Sequence, residues 1–207
     1  MNKIVVVDYK LGNIGSIINI IKKIGHKAIL SENPDVISSA DKLILPGVGA
    51  FDRGMERLNQ SALIPVLNDR IITHKIPIIG ICLGMQLLTQ KSEEGILPGL
   101  GWINAEVKRF QFEKQIKIPH MGWNTVAPTN NHFLFTGFAE TPRFYFVHSF
   151  YVVCNDSYTT VGTTNYGHDF ASVIHSQNVF GVQFHPEKSH RFGMQLLKNF
   201  IEMEQCY

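Results

Sequence analysis

The first half of the chain alternates short apolar runs with segments whose apolar residues recur at helical spacing. Ile4–Val7 is a continuous run of β-branched residues, which is typical of a strand covered on both faces. Isoleucine then recurs every three or four residues from Ile14 to Ile24, and Gly25 follows, so a helix is predicted there. Similar patterns predict strands at residues 27–30, 42–45 and 77–81, and helices in a short segment opened by Asn33-Pro34, at about residues 63–75 and at residues 83–90. This alternation predicts an α/β fold with a doubly wound, mostly parallel central sheet flanked by helices.

After Gly101 the pattern changes to short segments rich in phenylalanine, tyrosine, valine and threonine, each bounded by turn residues. Strands are predicted at residues 107–112, 144–153, 158–163, 170–174 and 179–184, several of them antiparallel, so the second half is expected to hold a smaller antiparallel sub-sheet. A last helix is predicted from about residue 189 to 204, with one apolar face formed by Phe192, Leu196, Leu197 and Phe200. No repeat or flexible linker interrupts the chain, and residues 1–207 are expected to form a single domain.

The composition excludes several classes of protein. Hydrophobic residues make up 44% of the 207 residues and charged residues 17%, which is ordinary for a globular protein. The net charge of +2, with no basic run, gives no reason to expect a nucleic-acid partner. The three cysteines, Cys82, Cys154 and Cys206, lie far apart without a C-x-x-C pair, so we expect reduced thiols and a cytoplasmic protein. No apolar run is long enough for a membrane span, and no membrane partner is expected.

The strongest sign of chemistry is a Gly-x-Cys-x-Gly sequence centred on Cys82, where a strand is predicted to pass into a helix. A nucleophile at such a sharp turn needs small neighbours, and Gly80 and Gly84 meet that need. The N-terminus of the following helix would favour the thiolate, and the backbone N–H of Leu83 would be free to bind an oxyanion. A buried structural cysteine at a tight turn is the alternative, and it is the interpretation we give to Cys154 and Cys206.

A thiolate nucleophile needs a base and a group that orients the base. Of the nine histidines, only His185 follows a predicted strand with a carboxylate two residues later, Glu187. Residues i and i+2 of an extended backbone project to one face, so these two side chains are predicted to point the same way. The alternative is a surface His–Glu pair without a role. A metal site formed by His185, Glu187 and His190 lacks a known ligand spacing, so no metal is predicted.

Taken together, these segments resemble the class I (triad) glutamine amidotransferases, and among them the glutaminase subunits of imidazole glycerol phosphate synthases. The matching segments are collinear and span nearly the whole chain: Asp8-Tyr9 with Gly12-Asn13-Ile14, Leu45-Pro46-Gly47-Val48-Gly49-Ala50-Phe51, Gly80-Ile81-Cys82-Leu83-Gly84-Met85-Gln86, Ser92-Glu93-Glu94-Gly95, Pro119-His120-Met121-Gly122-Trp123-Asn124, Phe146-Val147-His148-Ser149-Phe150 and Phe184-His185-Pro186-Glu187-Lys188-Ser189. Lys10-Leu11 and Asp52-Arg53-Gly54-Met55 depart from the family pattern, near surfaces that would contact substrate or partner.

The resemblance implies a role for each matching position. It makes Cys82, His185 and Glu187 the catalytic residues, and it assigns the oxyanion site to Gly47, Val48 and Leu83. It implies glutamine binding by Gly49, Gln86 and Glu94, with the segment His148, Ser149 and Phe150. It places Asn13, Pro119, Met121, Trp123 and Lys188 at a partner interface.

Each of these residues also has a plain structural interpretation. Gly47 and Gly49 would fit a tight turn after a strand. Gln86 would fit a solvated helix position, and Trp123 would fit a core position, as most tryptophans are at least partly buried.

The implied activity is hydrolysis of glutamine to glutamate and ammonia without a cofactor. The ammonia would pass to a barrel-type cyclase subunit in a heterodimer for histidine biosynthesis. A related partner, a sugar-modifying amidotransferase, remains open. Two further alternatives are a stand-alone cysteine hydrolase or peptidase and a regulatory subunit that has lost catalysis.

Overall fold

A computed structural model describes residues 2–113, 115–129 and 131–204. The prediction for Cys206 falls outside these residues. In the first half, the structure has four strands and five helices in alternating order. They are β1 (Ile4–Val7), α1 (Ile14–Lys23), β2 (Ala28–Ser31), α2 (Pro34–Ser38), β3 (Lys42–Gly47), α3 (Phe51–Gln60), α4 (Ile64–Asn68, continued by a π-helical turn, Asp69–Thr73), β4 (Ile78–Cys82) and α5 (Leu83–Leu87).

The second half adds nine strands and a long terminal helix. They are β5 (Lys91–Ser92), β6 (Ala105–Arg109), β7 (His120–Thr125), β8 (Ala127–Pro128), β9 (Arg143–His148), β10 (Phe150–Cys154), β11 (Thr160–Asn165), β12 (Asp169–Ser176), β13 (Val179–Val182) and α6 (His190–Glu202), with short 3₁₀ turns at Phe133–Phe135, Ser157–Thr159 and Pro186–Lys188. The fold class predicted from the sequence is confirmed.

The central sheet is parallel where it carries the first-half strands. Strands run in the order β2-β1-β3-β4-β13, and each neighbouring pair is parallel. Alternate residues of β1 pack on opposite faces: Ile4 and Val6 join one buried cluster, and Val5 and Val7 join the other. The first cluster is covered by α1 and α6, and the second by α3, α4 and α5. Burial on both faces explains why these strands read as continuous apolar runs.

The antiparallel strands mostly continue this same sheet. Strand β13 pairs with β12 antiparallel, and β10, β6 and β5 extend the sheet beyond it. A separate two-stranded antiparallel sheet is formed by β7 and β9. The predicted strand at residues 144–153 is wrong as one unit: it is two strands in different sheets, divided at Ser149. A uniformly apolar sequence does not show where a chain changes sheets.

Several other boundaries differ from the prediction. Helix α3 was missed, although Phe51, Met55 and Leu58 have helical spacing and are buried, because Gly54 and a polar composition weaken the pattern. Gly54 lets α3 approach α5 closely, since a Cβ there would lie 3.0 Å from the side chain of Leu87. Strands β5, β7 and β8 were also missed; they are short, polar or interrupted by glycine. Helix α5 ends at Leu87, shorter than the predicted 83–90.

Within the described residues, no helix has the length and apolar character needed to cross a membrane.

Candidate active site

Cys82 is the last residue of β4 and the residue that begins α5. Its backbone has φ 55° and ψ −111°, a conformation that costs a non-glycine residue roughly 1–3 kcal/mol. The turn requires small neighbours, as predicted: a Cβ at Gly84 would lie 1.9 Å from the carbonyl oxygen of Leu45, and one at Gly80 would lie 2.6 Å from the oxygen of Gly84. The thiol side chain is only 7% exposed. Because α5 is little more than one turn, its dipole supports a thiolate less than the predicted longer helix would.

His185 and Glu187 are in contact, but not through the extended backbone from which the sequence predicted that they point the same way. His185 Nδ1 lies 2.8 Å from Glu187 Oε1, and both side chains are almost fully buried. Strand β13 ends at Val182, before the predicted residue 184, and the stretch after His185 is a 3₁₀ turn, not extended chain. The backbone N–H of His185 donates to the carbonyl of Tyr145 in β9 (2.9 Å), which anchors the histidine to the small sheet.

The environment of His185 favours its charged form. Burial lowers the pKa of the imidazole, but the hydrogen bond to Glu187 and the negative charges of Cys82 and Glu187 outweigh it and raise the pKa to about 10. The second carboxylate oxygen of Glu187 and the Nε2 of His185 have no hydrogen-bond partner among the residues described, so the second ring nitrogen is available to the cavity. The three side chains therefore fit a thiolate–imidazolium–carboxylate arrangement.

Cys82 and His185 open into one cavity of about 320 Å³ at the carboxyl end of the parallel strands. Strands β4 and β13 are adjacent and parallel, and this is why their ends meet. The cavity is lined by Val48, Gly49, Cys82, Leu83, Gln86, Glu94, Pro119, Val147, His148, Ser149, Phe150 and His185. All of these except Val147 were singled out in the sequence. Glu187 lies behind His185, outside this lining.

Gln86 is a buried cavity residue, so the interpretation as a solvated helix position is wrong. Its amide nitrogen donates to the carbonyl of Phe150 (3.2 Å) and to Oε1 of Gln183 (3.0 Å). A side-chain amide has two N–H donors, and both are used within the protein. The amide oxygen of Gln86 is the part that can accept a hydrogen bond from a substrate ammonium group.

Glu94 enters the cavity from the loop after β5. Its Oε2 accepts from the backbone N–H of Phe51 at the start of α3 (2.8 Å), and burial raises the pKa of this carboxyl. Asp52 holds the same loop from the other side by accepting from the N–H groups of Ile96 (3.1 and 3.0 Å) and Leu97 (3.0 Å). The Asp52 position, which departs from the family pattern, therefore fixes the loop that carries Glu94.

The segment predicted to bind an oxyanion lies beside the sulfur. Gly47, the last residue of β3, is directly opposite Cys82 in the parallel ladder. A Cβ at Gly47 would lie 2.7 Å from both the Gly84 nitrogen and the Tyr9 hydroxyl, so the role of Gly47 includes close packing. Gly49 has φ +103° with open space around it, which suits a turn. Val48 and Leu83 line the cavity on this side.

The residues predicted at a partner interface include two exposed apolar side chains of β7. Met121 is 62% exposed and Trp123 is 46% exposed, so Trp123 is not a core residue. They alternate with buried or half-buried neighbours along β7, and the ring of Trp123 stacks on His190 at 5.5 Å. Lys188 is exposed on the turn after His185, with its ammonium 5.6 Å from the Tyr145 ring.

Pro119 and Asn13 are the other two predicted interface residues. Pro119 lines the cavity at its mouth, and the peptide bond before it is cis. Asn13 is half-buried at the start of α1.

Three buried residues support the site but were given no role from the sequence. Tyr9 donates its hydroxyl to the carbonyl of Pro46 and so holds the end of β3; burial, and secondly the charge of Cys82, raise the pKa of this phenol. Ser189 donates to the carbonyl of His185 (2.6 Å) and accepts from the N–H of Tyr145 (3.0 Å). Gln183 lies beside Cys82. The only indication of a role in the sequence was position: Tyr9 and Ser189 lie in the matching segments, and Gln183 comes two residues before His185.

A hydrogen-bonded pair of histidines, His120 and His148, also supports the site. His148 Nε2 lies 2.9 Å from His120 Nδ1, and its Nδ1 donates to the carbonyl of Phe150 (2.7 Å). Burial lowers the pKa of His148 to about 3 and that of His120 to about 4, so both rings are neutral and serve as hydrogen-bonding groups.

In the described part of the chain, no three or more histidine, cysteine, aspartate or glutamate side chains are grouped so that they could hold a metal ion. The ring of His190, the third residue of the metal site weighed above with His185 and Glu187, stacks on Trp123.

Comparison with known proteins identifies a family and several relatives. A family model described as glutamine amidotransferase class-I matches residues 5–203. A curated protein of Methanococcus maripaludis named imidazole glycerol phosphate synthase subunit HisH 2 is 52% identical over 199 residues, covering 96% of this chain and 98% of its own. A protein of the same name from Pseudomonas aeruginosa is 50% identical over 200 residues, covering 97% and 99%.

Solved structures show the same fold at lower identity. One described as a glutamine amidotransferase superposes with a TM-score of 0.72 at 18% identity, covering 96% of this chain and 97% of its own.

Proposed function

Because the chain belongs to the glutamine amidotransferase class-I family, we propose that it hydrolyses glutamine as the glutaminase subunit of an imidazole glycerol phosphate synthase in histidine biosynthesis. The observation that carries this proposal is that Cys82 and His185 line one cavity while Glu187 contacts His185 from behind. In the cavity wall, Gln86 and Glu94 offer acceptors to a substrate that carries an ammonium group. No cofactor enters the proposed reaction.

The reaction begins with attack of the Cys82 thiolate on the carboxamide carbon of glutamine. A C–S bond forms, and the C–N bond breaks as protonated His185 gives its proton to the departing ammonia. A water molecule then attacks the resulting thioester, His185 takes a proton from it, the C–S bond breaks and glutamate leaves. Glu187 holds the ring in the required tautomer and stabilises its cation, and the raised pKa of His185 supports its role as the acid.

The tetrahedral intermediate needs donors for its oxygen. The N–H of Leu83, at the start of α5, is one candidate, and the backbone at Gly47 and Val48 is the other. One such donor typically lowers the barrier by ~3 kcal/mol, a factor of roughly 100 to 1000. If the second donor requires a rotation of the peptide near Val48, partner binding controls the rate by driving that rotation.

The rest of the cavity would hold the amino-acid end of the substrate. The Glu94 carboxylate and the free oxygen of Gln86 face a substrate ammonium group, while the backbone from His148 to Phe150, with Gly49, forms the remaining wall. In this arrangement the Gln86 amide nitrogen donates to groups of the protein, and the amide oxygen binds the substrate ammonium group.

The partner is a barrel-type cyclase subunit that covers the mouth of the cavity. Met121 and Trp123 present exposed apolar surface on β7, the strand that follows Pro119 at the cavity wall, and Lys188 is exposed three residues after His185. Ammonia is mostly protonated at neutral pH and is then no nucleophile, so a heterodimer that channels it and excludes water keeps it in the reactive, unprotonated form. The overall reaction of the complex is that of a lyase. We place the complex in the cytoplasm, a reducing compartment in which Cys82 stays a free thiol.

The test measures glutamate release and product formation by the purified chain mixed with a barrel-type cyclase subunit. We expect Cys82→Ser to abolish glutamine-dependent synthesis while added ammonium salt still supports it. An electrophilic glutamine analogue should label Cys82 of the native chain. A serine variant that keeps full ammonia release would contradict the proposal, as would hydrolysis of peptides or esters without any response to glutamine. If the partner captured from the native host is a sugar amidotransferase, the glutaminase mechanism stands but the acceptor is different.

A further inference from the structure

Gln183 is a fully buried residue whose amide lies between Gln86 and the sulfur of Cys82. It follows the last residue of β13 and is 0% exposed. Its Oε1 lies 3.0 Å from the amide nitrogen of Gln86, and its own Nε2 lies 3.9 Å from Cys82 Sγ. Its backbone N–H donates to Ser172 in the neighbouring strand, so its position is fixed by the sheet.

The direction of the Gln183 amide is determined by its neighbours. The carbonyl of Phe150 can only accept a hydrogen bond, so Gln86 must present its NH₂ group there. The same NH₂ group faces Gln183, which must therefore present its oxygen. A reversed Gln183 amide would set two NH₂ groups against each other, and thus the NH₂ of Gln183 has to point at the sulfur.

This orientation matters because Cys82 is nearly buried. A thiolate removed from water needs hydrogen-bond donors, and a donor held by a rigid network stabilises the charged form. Phe150 contributes to this rigidity, since its carbonyl also accepts from the ring of His148 (2.7 Å). The network thus links the wall of the substrate cavity to the nucleophile.

We propose that Gln183 is a hydrogen-bond donor to the Cys82 thiolate and that Gln86 holds it in the donating orientation. Gln183 Nε2 is the one side-chain donor within hydrogen-bond distance of the sulfur among the residues described, since Nε2 of His185 has no hydrogen-bond partner there. At 3.9 Å the contact is long, as such contacts often are before substrate binds. The inference rests on the proposed function, since it concerns the same nucleophile.

The experiment measures the rate at which iodoacetamide alkylates Cys82, followed by mass spectrometry of the Cys82 peptide across a range of pH. Gln183→Met removes the donor at similar size. We expect the alkylation rate at pH 7 to fall about tenfold, as for the loss of one hydrogen bond to a charged group. The midpoint of the pH–rate profile should move to higher pH, and with partner present kcat should fall more than KM rises.

Gln183→Glu is the second variant, and it keeps the oxygen that accepts from Gln86 while removing the donor. Because it also places an acid beside the sulfur, it should slow alkylation more than the methionine variant. Asn178→Leu is the matched control: it removes a buried amide at the opposite end of β13, where Asn178 donates to Ile71 and Ile76 (both 2.9 Å). It should lower the free energy of unfolding and leave the Cys82 profile unchanged.

The outcomes separate this inference from the proposed function. If both Gln183 variants are alkylated at the native rate with the native pH profile, Gln183 is not a donor to the sulfur, and a folded Gln183→Glu chain suffices to decide this. If Gln183→Met and Asn178→Leu shift the Cys82 profile equally, the effect is general loosening and the inference is also wrong. The proposed function fails on a different result, the survival of glutaminase activity in Cys82→Ser.

Discussion

Replacement of Gly84 by alanine tests whether close packing at the Cys82 turn determines both stability and rate. The added Cβ would lie 1.9 Å from the Leu45 carbonyl oxygen and 2.9 Å from its carbon, whereas an ordinary contact begins at 3.4 Å. The obstacle is backbone in the middle of the central sheet, so it cannot rotate away as a side chain would. Helix α5 must therefore move from β3 by about 1.5 Å.

This displacement has two measurable consequences. Overpacking of this kind costs ~1–3 kcal/mol of unfolding free energy. The N–H of Leu83 and the amide of Gln86 move with the helix, and a misplacement of about 1 Å at a reacting centre costs on the order of 100-fold in rate. We expect Gly84→Ala to lose stability in urea denaturation and at least 100-fold in kcat of the partner-saturated enzyme.

The control is Gly15→Ala, which adds the same methyl group to α1 at a site with nothing within 4 Å. Alanine is a better helix former than glycine, so this variant should gain ~0.5–1 kcal/mol of stability. If Gly84→Ala is as stable and as fast as the native chain, the steric account of the turn is refuted. A loss of similar size in both variants would show that any added methyl is harmful.

Three further changes have outcomes that the structure determines. Glu187→Gln should lower the pKa of His185 from about 10 toward its usual range, as followed by NMR titration, and reduce kcat at least ~100-fold through loss of ring orientation. The stability that the charged His185 contributes is fully present below the pKa it has in the unfolded chain and is lost as the pH rises through about 10. In Glu187→Gln this loss of stability should be smaller. An unchanged pH dependence of the free energy of unfolding would contradict this expectation. Asp52→Asn weakens the backbone hydrogen bonds that fix the loop carrying Glu94, so KM for glutamine should rise about tenfold with less change in kcat, and an equal fall in both kcat and kcat/KM would argue against a binding effect. Lys42→Met removes the ammonium that donates to three carbonyls at the end of α6, and it should cost ~1.5–3 kcal/mol in denaturation while glutaminase activity is kept, since this end of the sheet is opposite the cavity.

The sequence by itself determined the parallel half of the fold and the position of the nucleophile. Ile4–Val7 is a short run of four β-branched residues that are all buried, which favours a strand covered on both faces. The glycines at 80 and 84 marked the turn at Cys82 for a steric reason that applies to any chain, and the structure confirms the close contacts. The approach of Glu187 to His185 was also local information, since only Pro186 separates them.

Only the tertiary structure decided how the second half divides between two sheets. Strands β9 and β10 share one apolar composition on either side of Ser149, and their different partners, β7 for one and β6 and β12 for the other, are chosen by distant segments. The backbone around His185 was likewise decided by tertiary structure: His185 pairs with the distant Tyr145, and the chain then makes a 3₁₀ turn at Pro186–Lys188 where an extended stretch was expected.

The same limit applies to the polar groups of the site. Gln86 and Gln183 are 97 residues apart, and Gln86 and Phe150 are 64 apart, so no spacing in the chain announces that one amide orients the other. Local patterns specify backbone conformation and the face that a side chain occupies. The hydrogen-bond partner of a buried side chain depends on which strands are neighbours in the folded sheet. That order is a property of the tertiary structure.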